Sequence, residues 1–144
     1  MTRPGEAFER EIAVEAADID ALGHVNNVVY LRWVQDIAVA HWVAEASQAD
    51  QAKLRWVVLR HEIDYKHAAR LGDSIRARTW VGEASGIRFE RHTEVRRASD
   101  GALLARARTV WCPIDATTGR PTAVSAGVRA GFSTGEAGAS ASER

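Results

Sequence analysis

A single cysteine, Cys112, occurs among the 144 residues. A disulfide framework within the chain is therefore excluded, and a reducing compartment is expected. An excess of charge is also missing: 19 basic residues balance 19 acidic ones, so no overall field draws nucleic acid or an anionic membrane surface. No apolar run could span a bilayer, and the opening MTRPGEAFEREI lacks the apolar core of a secretory signal. No His/Cys cluster has familiar metal-ligand spacing, and no internal repeat is visible. The expectation is a soluble, cytoplasmic protein, with neither nucleic acid nor membrane as partner and neither metal nor organic cofactor.

What is present is enough apolar matter for a core, 46% hydrophobic residues against 26% charged. FEREIAVEA alternates, with Ile12 and Val14 on one face, and reads as a first strand. From about Asn27 to Ala46, Tyr30, Val34, Ile37 and His41 recur at spacings of three and four, the pattern of a helix. At about 20 residues it would be about 30 Å long, the width of a domain. ASQADQAK reads as a polar loop. Four long runs of period two follow. The first sets Val57, Leu59, His61, Ile63 and Tyr65 on one face; the second alternates Ile75, Ala77, Thr79 and Val81 with Arg76, Arg78 and Trp80. The third carries Phe89, Arg91, Thr93 and Val95, and the fourth is ALLARARTVWCPID. Gly-containing turns separate them. Strand, long helix and four long strands predict an α+β domain, a curved five-stranded antiparallel sheet wrapped around one helix, as in the hotdog fold. Residues 1–124 are expected as one domain with 1–8 a loose arm, and the Gly-, Ala- and Ser-rich 125–144 as a flexible tail.

DIDALGHVNNVVYLRW, Asp18 to Trp33, crowds acids, a histidine and two asparagines against the start of that helix. Asn26 suits the cap position. A helix N-terminus presents unpaired N–H groups and a partial positive charge, so the amides around Asn27 and Val28 could receive the oxyanion of an acyl-transfer reaction. Asp20, with Gly23 in the same loop, could fold back to attack a carbonyl or deprotonate water, and His24 could orient water, donate to substrate or protonate a leaving thiolate. The bland alternative for Asp18 and Asp20 is a solvated loop favouring the helix dipole. Asp18 is read as structural, bonding loop amides, and Cys112 as a small buried hydrophobe.

The pattern Asp-x-Asp-x-x-Gly-His-Val-Asn-Asn-x-x-Tyr resembles the signature of hotdog acyl-CoA thioesterases of the 4-hydroxybenzoyl-CoA thioesterase-like branch. The same loop is similar to plant acyl-carrier-protein thioesterases. IDYKHAARLGDSI, GIRFERHTEV and VWCPIDATTGRP resemble later segments of the branch in the right order, so the similarity runs from about residue 10 to 122. It implies hydrolysis of an acyl-CoA thioester, with Asp20 as catalytic carboxylate and His24 matching the histidine of the plant enzymes. Asn27, read from its place at the helix start, could offer its backbone amide, its side chain or neither. Leu22 stands where the plant enzymes carry asparagine, which favours CoA over carrier protein. The implied assembly is a homodimer or homotetramer with sites between subunits. Val28 and Tyr30 are expected to contact substrate, with core packing the bland reading for Tyr30, and Arg88 and Arg91 to meet CoA phosphates, with a solvated sheet face the bland alternative. The rival readings are a hotdog enoyl-CoA hydratase or dehydratase and a non-catalytic acyl-binding module.

Overall fold

The computed structural model describes residues 7–132. Strand β1 (Phe8–Ala13) leads through a 3-10 turn at Ala16–Asp18 to helix α1 (Asn27–Glu45) and a short helix α2 (Gln48–Lys53). Strands β2 (Leu54–Tyr65), β3 (Ser74–Ser85), β4 (Arg88–Arg97) and β5 (Leu103–Asp115) follow, then helix α3 (Ala126–Phe132). The five strands form one antiparallel sheet in the order β1-β3-β4-β5-β2, as expected for the hotdog arrangement.

Helix α1 begins where Asn26 caps it, its side chain accepting from the Val28 amide at 3.0 Å. Its buried stripe is Val29, Tyr30, Trp33, Val34, Ile37, Ala38 and His41. Full burial of each large apolar side chain contributes roughly 1.5–3 kcal/mol, so the stripe holds α1 against the sheet. The concave face below is built of small residues in register: Ala77 opposite Val95 opposite Ala105, and Thr79 opposite Thr93 opposite Ala107. Short side chains in these rows let the helix approach closely.

Three expectations need correction. ASQADQAK is not all loop, because Ser47 accepts from the Asp50 amide and starts α2. The C-terminal tail does not begin at 125. Residues 126–132 are helical, and Val128 and Phe132 are buried against the same cluster as Ala38, Phe89 and Trp111. The remainder of that stretch, 133–144, lies outside the described residues, as do 1–6 of the expected arm; Phe8 already belongs to β1 and is buried. Finally, β2 does not keep one face throughout. Its pairing with β5 shifts between Val58 and Arg60. One extra residue reverses the side-chain alternation, so Trp56 and Val58 face the core before the bulge while Val57 and Leu59 are 43% and 50% exposed. His61 and Ile63 regain the inner face after it.

Candidate active site

The loop before α1 is fixed by its own polar groups. Asp18 is buried; its Oδ2 accepts from the Glu15 amide at 2.9 Å and its Oδ1 from Arg32 Nη2 at 2.8 Å. Burial alone would raise its pKa, but the Arg32 hydrogen bond and the Glu15 amide outweigh it and hold the carboxyl below its ordinary value. The Asp18 carbonyl also accepts from the Asn26 amide at 2.9 Å, which ties the first acid to the helix cap.

Asp20 is organised differently. Its Oδ1 accepts from the amides of Leu22 at 2.9 Å and His24 at 3.3 Å. The backbone closes the turn through Asp20 N–H to the His24 carbonyl and Gly23 N–H to the Asp20 carbonyl. Gly23 sits at φ 81°, a conformation that costs a residue with a Cβ. The turn thus engages one carboxylate oxygen, while Oδ2 has no partner among the described residues.

Asp20 lines an open cavity of about 470 Å³ together with His24, Asn26, Asn27 and Tyr30. At the mouth of α1 the first-turn amides are not equivalent. Val28 N–H is taken by the Asn26 side chain and Val29 N–H by the Asn26 carbonyl. The amide at Asn27 is left without a partner among the described residues. The expectation that the Val28 amide helps receive an oxyanion is therefore corrected, because the cap that starts the helix consumes it. The Val28 side chain is 70% exposed.

Tyr30 reaches the cavity wall, but its ring is buried edge-on to Trp33 and Tyr65, and its hydroxyl accepts from the Ala69 amide at 2.9 Å. Arg88 and Arg91 are not part of this cavity. Arg88 is exposed at the start of β4 beside the β3–β4 turn. Arg91 is only 7% exposed and lies on the concave face, not on a solvated one. Most outward arginines of the sheet are already ion-paired, Arg108 with Glu62 and Glu90, Arg76 with Glu11, and Arg78 with Glu94.

Sequence reasoning missed one whole wall of the cavity. Tyr65, Lys66 and His67, at the end of β2, complete it. Tyr65 donates its hydroxyl to the Asn27 carbonyl at 3.0 Å. The following loop is locked by Arg97 to the Ala68 carbonyl, by Val25 N–H to the Ala69 carbonyl and by the Tyr30 hydroxyl. The sequence offered Tyr65 on an apolar alternation and the IDYKHAARLGDSI resemblance, but neither pointed to the loop before α1, because contact across 38 positions has no local signature. Among the described residues no three His, Cys, Asp or Glu side chains gather as a cation site, and no helix is long and apolar enough to cross a membrane.

A sequence-family model described as the thioesterase-like superfamily matches residues 14–132. No curated protein matches the sequence of the chain. Among solved structures, the 1,4-dihydroxy-2-naphthoyl-CoA thioesterase Slr0204 from Synechocystis is 22% identical with a TM-score of 0.73, over 83% of this chain and 90% of that one. A thioesterase from Thermus thermophilus, complexed with coenzyme A and Zn, is 23% identical at a TM-score of 0.73, over 84% and 88% of the two chains. The 12:0-ACP thioesterase from Umbellularia californica is 18% identical at 0.73, over 87% of this chain but 49% of that longer one. At these identities the likeness speaks for the fold.

Proposed function

The chain belongs to the thioesterase-like superfamily, which makes it a thioester hydrolase, and from this premise we propose that its substrate is an acyl-CoA cleaved to free acid and CoA by Asp20. One observation carries the reading: the Asp20 carboxylate and the single uncapped first-turn amide, at Asn27, line one cavity. An acyl carbonyl there would meet a donor at the positive end of α1, where developing charge is stabilised. The Asp20 oxygen left free by the turn then has two routes. It attacks the carbonyl carbon, expelling the CoA thiolate and leaving a mixed anhydride that water opens; or it takes a proton from water as that water attacks. In either route His24, on the same wall, supplies a proton to the thiolate. Lys66 and His67 at the rim suit the CoA phosphates better than the ion-paired arginines of the outer sheet.

The active form is a homodimer, which can build a homotetramer. The outer edge of β2 pairs with no strand among the described residues, and beside it Leu59 and, on α1, Val39 and Val43 are 50%, 54% and 56% exposed. A free, apolar edge of this length is stable when a second copy pairs with it. Antiparallel pairing of two β2 strands sets the Leu54 end of one beside the Tyr65 end of the other, so each Asp20 cavity abuts the partner.

Thiol release from a panel of short, long and aromatic acyl-CoAs tests the reading. Wild type is expected to turn over part of the panel, and Asp20→Asn to lose about 10²–10⁴-fold in kcat. Equal rates for the two proteins across the panel would remove Asp20 from the mechanism. A single turnover in ¹⁸O-water, with enzyme in excess, tests the nucleophilic route: label in the Asp20 carboxylate establishes it with water opening the anhydride at the aspartyl carbon, whereas label in the free acid alone is common to the general-base route and to anhydride opening at the acyl carbon.

A further inference from the structure

A second cavity opens between the C-terminal half of α1, the sheet and α3. It holds about 60 Å³, room for a carboxylate and the first atoms of its stem, since one water occupies about 10–15 Å³ on such a measure. Its walls are aromatic, with Trp42, Trp56, Phe89, Trp111 and Phe132 contributing, and no Asp or Glu lines it. Twelve residues of α1 separate Ala38 and Val39 on its rim from the Asn26 and Asn27 region, about 18 Å at helical rise. It is not part of the Asp20 cavity.

Arg91 enters this apolar space. Its Nη1 donates to His41 Nδ1 at 3.0 Å and to Thr79 Oγ1 at 3.2 Å. Because the guanidinium can only donate, His41 must accept at Nδ1 and is the neutral tautomer protonated at Nε2. His41 is in turn stacked on Phe8 and set edge-on to Phe132, so the pair is held rigidly. The Arg91 Nε and Nη2 groups have no partner among the described residues, and no carboxylate among those residues pairs with the guanidinium. A cation only 7% exposed and without a counter-charge is costly. The indole N–H groups of Trp56 and Trp111, on the same walls, are also buried without acceptors among the described residues. This corner of the molecule sets the positive charge of Arg91 on its cavity, and no carboxylate lines it.

We infer that this cavity is a carboxylate subsite, in which Arg91, positioned by His41 and Thr79, receives the carboxylate of a ligand whose apolar body rests on Trp42 and Trp56. Guanidinium recognises carboxylate by paired hydrogen bonds, and the missing negative charge is what the ligand brings. The carboxylate belongs either to the far end of the acyl group or to a free acid. Only the first assignment rests on the thioesterase reading.

Tryptophan fluorescence reads the site directly, since three indoles line it. Benzoate and butyrate are expected to give saturable quenching at least tenfold tighter than benzamide and butyramide, their uncharged counterparts. Arg91→Met should erase that preference, with far-UV circular dichroism reporting its fold. Arg91→Lys, which keeps the charge, should retain part of it, and the wild-type comparison decides even where Arg91→Met does not fold. Equal binding of acids and amides, or undiminished benzoate affinity in folded Arg91→Met, would overturn the subsite. Hydrolysis of hexadecanedioyl-CoA, whose extended chain is long enough to span the two cavities, against palmitoyl-CoA then identifies the source. A kcat/KM preference for the ω-carboxylate member, lost in Arg91→Met, assigns it to the acyl group; a ratio near one, with benzoate still bound, assigns it to a free acid. The titration requires no catalysis, so failure of the hydrolase reading leaves its result intact.

Discussion

Replacing Asp18 by asparagine keeps the side chain's shape and removes its charge, and the structure says what that costs. The carboxylate is 4% exposed and accepts from two donors, the Glu15 amide and Arg32 Nη2. An asparagine must turn its NH₂ toward one of them, so one acceptor contact becomes a clash of donors. Hydrogen bonds to a charged group are worth about 1.5–3 kcal/mol. Arg32 is 52% exposed, which screens its half of the arrangement, so a loss of about 2 kcal/mol at pH 7 is expected. For a chain of this size that lowers Tm by about 6–8 °C. The pH dependence carries a sign. Asp18 has its pKa lowered in the fold, so its contribution is complete above the ordinary carboxyl value of about 3.9 and disappears as pH falls through the folded value. Urea unfolding of wild type and Asp18→Asn between pH 7 and pH 3 should therefore show a gap that is largest near neutrality and closes in acid. Equal stability at pH 7, or a gap that stays constant down to pH 3, would refute the account of this loop.

Asn26→Ala removes the cap of α1 and should cost about 1 kcal/mol in urea unfolding, while freeing the Val28 amide that the cap now occupies. His41, whose pKa is pushed down to about 3 by burial and by the charge of Arg91, should show no titration by NMR between pH 8 and 4. Since the unfolded chain protonates this histidine below about 6.5, stability should fall by up to about 1.4 kcal/mol per pH unit below that value; a normal titration near 6.5 in the folded protein would contradict the packing. Leu59→Asp places a charge beside the free β2 edge and is expected to convert dimer to monomer in sedimentation velocity, whereas a monomeric wild type would remove the proposed pairing. Lys66→Gln should raise KM for acyl-CoA several-fold with kcat little changed, the pattern of a lost binding contact in steady-state kinetics.

Much of the fold was legible because it is written in local periodicity. The stripe of Tyr30, Val34, Ile37 and His41 identified α1, and four alternating runs identified β2 to β5, with Arg91 already in phase with Phe89, Thr93 and Val95. The bulge at Leu59 was not legible: an extra residue leaves an alternating pattern looking intact, and only the pairing with β5 reveals that Val57 and Leu59 face outward. Helix α3 was missed because seven residues rich in Gly and Ala have almost no amphipathic signal, and docking of Val128 and Phe132 decides it.

At the candidate site the same division holds. Sequence alone determined that a capped helix begins at Asn27 with acids just before it, because capping and dipole effects act between near neighbours. Which amide the cap leaves unpaired, which oxygen of Asp20 the turn engages, and how Tyr65, Lys66 and His67 come to face them were decided by tertiary structure. So was the isolation of Arg91 from every described carboxylate. Hydrogen bonds and charges act through space, and only the curvature of the sheet around α1 brings these separated positions within their reach.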